Sequence, residues 1–398
     1  MLERYAPVAV IAVASKANAL INRQLQDACQ SHSGAAACII MPAEDFKYAT
    51  WMVDLPPVAL ASWNIPQFSI SVITNNRPES LQRLLVSLEH GHYFGDRLGV
   101  DFSIESTASD ETLVRVQEFV HSWGARGSVS AKYRVIKGGL IRAVTESYYP
   151  STRHHHGILL EDDIEASISH WLADHLTRYQ YGTAQDFAPH MYGVSLYTPR
   201  VNEIAPKRYP YDSDKVMVSA SNLGTHHMPY LHQTPCSWGA VYFADTWKEY
   251  RAYLNARMAD AHLNLQIRSA KTNGWSTSWK RYFIEMAYQS QYYMLYPNYS
   301  NQTSFSTNWL EPGEHIVGSK PRQRGDARHP AQYYIVPLMQ DEEASMMWNE
   351  LPQGGLPPLE DLPQLNVLDL FVDEVEAGSA PEPGSLWKLH SSTGEALP

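Results

Sequence analysis

The chain has 398 residues, 44% of them hydrophobic and 18% charged, with a formal net charge of −11. That length holds one large α/β domain with extensions, or two domains. The acidic balance suggests neither nucleic acid nor an anionic membrane as partner, and no apolar run is long enough for a transmembrane helix.

The N-terminal stretch "MLERYAPVAVIAVASKANAL" mimics a signal peptide, but its apolar core of about seven residues is at the bottom of the useful range. A strand over 7–14 and a helix over 16–30, with Leu20, Ile21, Leu25 and Ala28 at helical spacing, explain it as well. A second strand over 35–41 completes a small β-α-β element, and "SWNIPQ" reads as a connector. Cys29, Cys38 and Cys236 have no CxxC spacing and cannot all pair. That pattern fits a reducing compartment better than a disulfide-stapled fold. The expected location is therefore cytoplasmic, with the secretory lumen as the alternative if the N-terminus is a trimmed anchor.

From Phe68 strands and helices alternate. "FSISVIT" reads as a strand, "NNRP" as a turn, and "ESLQRLLVSLEHG" as an amphipathic helix with Leu81, Leu84, Leu85 and Leu88 on one face. "VDFSIES" and "DETLVRVQEFVHSWG" repeat the pattern. "AKYRVIKGG" follows as strand or loop, "LIRAVTESYY" as a helix and "GILL" as a buried strand. Such alternation predicts a largely parallel sheet covered on both faces, with ligands beyond the carboxyl ends of its strands. The later segments lose simple alternation. Beyond about residue 345 the chain is rich in Pro, Gly and acids and reads as an extended tail, within which "LNVLDLFVDEV" reads as a short docking helix.

Directly after "GILL" come Glu161, Asp162 and Asp163. Two readings compete: the acids cap a helix beginning near Ala166, or Asp163 holds a hard divalent cation. Mg²⁺ and Mn²⁺ prefer oxygen ligands and share their shell with phosphate.

"VITNNRPESLQRLLVSL" and "LLEDDIEASISHWL", in this order and spacing, resemble two motifs of the GT-A nucleotide-sugar glycosyltransferases. The second resembles the "EDD" version of their DxD motif, found in N-acetylglucosaminyltransferases of the N-glycan and O-mannose pathways. The likeness covers roughly residues 66–310. It implies a GT-A fold of α/β class: a Rossmann-like, mostly parallel sheet flanked by helices. Residues 1–65 would be an N-terminal extension, 66–190 the nucleotide-sugar-binding half, 191–344 the acceptor half and 345–398 the tail.

The resemblance also implies roles. Thr74, Asn75 and Arg77 would lie near the uridine and diphosphate. Glu105, ending the second strand, would contact the nucleoside; the competing reading is a solvated strand-end acid. "KGGLIRAV" would lie beside the nucleotide through Gly138, with Lys137 or Arg142 available to phosphate, or to surface ion pairs instead. Asp163 would bind Mn²⁺ or Mg²⁺, with Glu161 and Asp162 on the ribose or ordering the loop. Trp238 and Gly239 would sit under the donor sugar, since Trp packs on a pyranose and Gly lets backbone approach closely. His315, in the loop "NQTSFSTNWLEPGEHI", would complete the metal shell; that loop has the composition of a mobile lid.

An inverting transferase needs a base within reach of the acceptor hydroxyl. Related enzymes place an Asp between two tryptophans, but here Ser276, Thr277 and Ser278 lie between Trp275 and Trp279. The nearest acid is Glu285, taken as the base, with an Arg281–Glu285 helix pair as its structural rival. Without an acid at the acceptor, a retaining mechanism is the better reading. The run His154–His156 reads as a solvated approach to a strand rather than a transition-metal site. The sequons at Asn298 and Asn301 are discounted, because a glycan there would obstruct the expected site.

The expectation is thus a metal-dependent, inverting hexosyl- or N-acetylhexosaminyltransferase. It would move sugar from a UDP-sugar to a hydroxyl acceptor, either a small apolar metabolite or lipid-like molecule, or a secretory-pathway glycan or protein. A nucleotidyltransferase and a non-catalytic sugar-nucleotide-binding protein are the rivals from other classes. "TNNRPES" lacks the basic glycine-rich loop of the first rival, while the missing Asp favours the second.

Overall fold

The computed structural model describes residues 7–14, 18–31, 36–124, 126–167, 181, 190–220, 227–259, 265–309, 311, 336–339, 367–372 and 374–375. The N-terminal strands β1 (Ala9–Ala14) and β2 (Ala37–Pro42) pair in parallel across the helix Ala19–Ser31. Cys29 on that helix and Cys38 in β2 are joined by a disulfide, and Cys236 is free and buried. The three cysteines thus do not all pair, as expected, but the disulfide runs against the expected fit to a reducing compartment.

The main body begins with β3 (Gln67–Thr74). The following helix, Pro78–Glu89, starts with Pro at its first turn, where no N–H is needed, and carries Glu79 against the helix dipole. It buries Leu81, Leu84, Leu85 and Leu88 as its spacing predicts. Truncating one of them, as in Leu84→Ala, would cost about 2–5 kcal/mol. After β4 (Gly99–Ile104), the helix Asp110–Trp123 is capped by the Ser109 hydroxyl, which accepts from the Thr112 N–H at 3.3 Å. Then come β5 (Val129–Tyr133), the helix Gly139–Thr145 and β6 (His155–Glu161).

Strands β3, β4, β5 and β6 run parallel in the order β6-β3-β4-β5. Successive residues of β6 serve opposite faces. Ile158 and Leu160 pack with the leucines of Pro78–Glu89, while Leu159 packs with Tyr148, Tyr242 and Trp247. Beyond β6 the sheet turns mixed through β8 (Met191–Ser195), β11 (Tyr230–His232), β12 (Ala240–Tyr242) and β13 (Tyr293–Tyr296); β7 (Ile164–Ala166), β9 (Val201–Asn202) and β10 (Tyr209–Pro210) lie outside it. Five of its nine strand pairings are parallel, so the sheet keeps its α/β character with helices on its faces.

Two further expectations need correction. The acids are followed by a strand, β7 (Ile164–Ala166), which pairs antiparallel with β14 (Ser306–Asn308). Ala166 therefore starts no helix; residues 168–180, onto which the expected helix runs, lie outside the described residues. The strand β14 is buried, so this part of the expected lid is core structure. In the tail, "LNVLDLFVDEV" gives two short strands rather than a helix: β15 (Val367–Leu368), which adds to β11 in parallel, and β16 (Glu374–Val375). Among the described residues no helix is long and apolar enough to cross a membrane.

Candidate active site

Because β3 to β6 are parallel, Thr74, Ile104, Tyr133 and Glu161 end on the same edge of the sheet. The three acids lie at that edge in three different environments. Asp162 is 1% exposed and fully engaged. It accepts from the Thr74 hydroxyl at 2.8 Å and the Asn75 N–H at 3.3 Å, and it pairs with the Arg77 guanidinium. Its own N–H donates to Ile73 at 3.1 Å. Asp162 thus ties the turn after β3 to the end of β6.

Asp163 takes one bond from Arg77, at 3.0 Å on Oδ2. Its other oxygen, Oδ1, is buried and has no hydrogen-bond partner among the described residues. Burial, and then the neighbouring Asp162, push its carboxyl above the usual range, against the pull of Arg77. The Glu161 side chain has no hydrogen bond or ion pair among the described residues. Burial first, then Asp163 and Asp162, raise it to about 8, against Arg77 and Lys280. Burial lowers the Arg77 pKa, but Asp162, Asp163 and Glu161 outweigh it and hold the guanidinium charged.

An orphaned carboxylate oxygen in an acidic cluster fits a hard cation. Among the described residues, no three His, Cys, Asp or Glu side chains come together as a metal-holding group. A cation here would take Asp163 together with oxygens from a ligand, so the chemistry of the donor set fits Mn²⁺ or Mg²⁺ only with a ligand present. His315 lies outside the described residues.

The second strand-end acid is spent elsewhere. Glu105 accepts from the N–H groups of Ser106 (2.7 Å), Gly138 (3.1 Å) and Gly139 (3.1 Å). Burial alone would raise its pKa, yet these backbone bonds bring it below the ordinary value. It is buried, not a solvated strand-end acid, and its oxygens are engaged by backbone amides. Lys137 and Arg142 are exposed and unpaired among the described residues. Asn75 is half-buried and accepts from the Thr107 hydroxyl at 2.9 Å.

Trp238 and Gly239 lie against the acidic edge. Gly239 has φ +97°, and a Cβ there would stand 3.1 Å from the Ser306 hydroxyl and 3.4 Å from Leu160 of β6, so Gly alone fits. Trp238 meets the Tyr197 ring at 4.8 Å, and the Lys280 ammonium lies 5.3 Å from its ring centre. These three, with Tyr211 and Glu203, line a small pocket open to solvent. Lys280 and Glu203 form an ion pair at 2.5 Å, and the charge of Lys280 reaches Glu161. Sequence reading missed both residues. A lysine on an otherwise apolar helix face was the available signal for Lys280; nothing in "PRVNEIAP" marks Glu203.

Glu285 is 1% exposed. Its oxygens accept from Arg257 (2.9 and 3.3 Å), Arg281 (2.9 Å) and the Tyr253 hydroxyl (3.0 Å). This corrects the choice of Glu285 as base: its lone pairs are committed to two guanidiniums and a phenol, and it does not line the pocket. The histidine run is likewise a network, not a solvated approach. His154 and His156 both bond the Tyr181 hydroxyl, at 3.0 and 2.9 Å, and His155 bonds Ser69 at 3.1 Å. Asn298 is buried and bonded to Ser213 and Asp214, which closes that sequon.

No family model and no curated protein sequence matches this chain. Several solved structures are similar to it in part. GalNAc-T7 with UDP, GalNAc and Mn²⁺ gives a TM-score of 0.38 at 14% identity, over 59% of this chain and 43% of that one. The mannosyltransferase PcManGT from Pyrobaculum calidifontis, in complex with GDP-Man and Mn²⁺, gives 0.32 at 12% identity, over 52% of each chain. S. aureus TarS, residues 1–349, gives 0.35 at 13% identity, over 58% of each. The chain thus spans about half the length of these structures, and likenesses of this size fix neither substrate nor mechanism.

Proposed function

We propose that this protein is a metal-dependent GT-A glycosyltransferase that moves a sugar from a UDP-sugar to a hydroxyl acceptor. The observation that carries this reading is the buried Oδ1 of Asp163 at the carboxyl end of β6, unpartnered among the described residues, beside Glu161 and an Asp162 that shares Arg77 with it. The order of the two motifs, "VITNNRP" before "LLEDD", supports the same reading. When bound, Mn²⁺ or Mg²⁺ would supply Lewis-acid stabilisation of the departing diphosphate. Asp163 is the protein ligand, and the resemblance adds His315.

The other residues divide the remaining work. Asp162, through Thr74, Asn75 and Arg77, shapes the turn that receives the nucleotide. Glu105 holds the Gly138–Gly139 turn in place. Trp238 offers its ring to the donor sugar above Gly239. Glu203, the one acid among the pocket's described lining residues, takes the place of Glu285 as acceptor base, positioned by Lys280. An acid in the pocket favours inversion. The Cys29–Cys38 bond favours an oxidising compartment, hence the secretory lumen over the cytoplasm.

Hydrolysis of a panel of UDP-sugars without acceptor, with Mn²⁺ and with EDTA, tests the reading. We expect slow, metal-dependent UDP release from at least one donor, lost in Asp163→Ala. Glu203→Gln should lose at least about tenfold in acceptor-dependent turnover while keeping UDP binding. No UDP release from any donor would leave a non-catalytic nucleotide-binding protein.

A further inference from the structure

The segment between β5 and the helix Gly139–Thr145 has a character unlike the rest of the chain. Residues 127–145 contain Lys132, Arg134, Lys137 and Arg142 and no acid, in a protein of net charge −11. At its tip two large apolar side chains stand in water: Val135 is 90% and Ile136 82% exposed, with Tyr133 beside them at 51%. Adjacent exposed aliphatic residues with a basic rim mark an interaction surface rather than scattered surface apolarity.

The tip is held rather than loose. The Glu105 carboxylate binds the N–H groups of Gly138 and Gly139 at its far end, and Arg134 pairs with Glu146 at 2.7 Å and donates to the Arg142 carbonyl at 3.1 Å. Lys132, Lys137 and Arg142 keep their charges uncompensated among the described residues. Strand β5 is the edge of the sheet, and a lysine on an edge strand discourages strand addition by a second copy. The charge pattern instead complements an anionic surface that also accepts aliphatic side chains.

We propose that this tip docks on a bilayer containing anionic lipid, with Val135 and Ile136 entering the interface and Lys132, Lys137 and Arg142 on the headgroups. The overall negative charge argued against such a partner; the local surface reverses that argument within one Debye length. Three basic side chains near such a surface contribute on the order of a hundredfold in partitioning. Because β5 ends on the same edge as β3, β4 and β6, docking would bring the acidic edge near the bilayer. That this would select lipid-borne hydroxyl acceptors rests on the function proposed above; the docking itself does not.

The test is co-sedimentation of the full chain with phosphatidylcholine vesicles, with and without phosphatidylserine. We expect binding only with phosphatidylserine, weakened at least about tenfold by Val135→Asp/Ile136→Asp and by Lys132→Glu/Lys137→Glu, and lost in high salt. Both pairs change exposed side chains, and the melting temperature checks the fold. Metal-dependent UDP binding should survive Val135→Asp/Ile136→Asp, so failure of docking and failure of the transferase reading are told apart. Equal binding by both variants, or none to either vesicle, overturns the proposal. So does light scattering that shows a dimer broken by the apolar substitutions while vesicle binding stays unchanged, which would assign the tip to a second copy.

Discussion

At the end of β6 two carboxylates, Asp162 and Asp163, share one guanidinium, Arg77, with the Glu161 carboxyl beside them. On the helix Trp279–Ser290 a single carboxylate, Glu285, lies between two, Arg257 and Arg281. Both places are buried, yet their balances are opposite. The helix site is closed: every strong acceptor direction is filled, so it contributes to the fold and offers nothing to a ligand. At the strand end Asp163 Oδ1 has no partner among the described residues, and Glu161 and Asp163 both have raised pKa. In the function proposed above, a cation and its ligand complete such a site. Position in the sequence did not distinguish the two; the count of counter-charges does.

The largest expected effect lies at the closed site. Glu285→Ala leaves two guanidiniums facing each other with no counter-charge and should cost about 3–5 kcal/mol in urea denaturation. A variant of unchanged stability with turnover abolished would return Glu285 to the chemistry and erase the contrast.

Within the open site the two aspartates should respond differently. Asp162→Asn weakens the bonds from Thr74, Asn75 and Arg77 and should lose about 2 kcal/mol. Asp163→Asn removes a carboxylate that burial and Asp162 disfavour, so its stability should stay within about 1 kcal/mol of wild type or rise. Equal losses at both positions would make the pair one structural unit.

A pH scan sharpens the contrast once a histidine contribution is subtracted. His156 is buried, bonds Tyr181 and accepts from the Ala244 N–H at 3.3 Å, and its pKa is pushed down to about 3, first by burial. The folded state therefore holds this histidine neutral while the unfolded chain protonates it near 6.5. Stability is lost as pH falls below 6.5, by about 1 kcal/mol at pH 5.5. The wild-type minus His156→Gln difference in stability should show that slope between pH 7.5 and 5.5. A flat difference would place a proton on His156 in the fold.

Local periodicity made much of the fold legible. Leu81, Leu84, Leu85 and Leu88 identify a helix whatever they pack on, and "GILL" identifies a buried strand. Asp163 could be singled out because an acid after such a strand is unusual in kind. What could not be read depends on partners distant in sequence. Cys29 and Cys38 meet only because a helix folds back on a strand, and β7 became a strand only by finding β14 some 140 residues later. The engagement of Glu105 by Gly138 and Gly139, and the pairing of Glu203 with Lys280, are likewise products of the fold. The closure of Glu285 was hidden for that reason: Arg281–Glu285 is visible at helical spacing, but Arg257 and Tyr253, which close the site, are not.

The most direct measurement of the central claim is isothermal titration of UDP into wild type and Asp163→Ala, each with Mn²⁺ and with EDTA. The account predicts binding in wild type with Mn²⁺ alone, and none in the other three conditions. Equal binding in all four would contradict it, leaving Asp163 a buried strand-end acid with no part in holding a nucleotide.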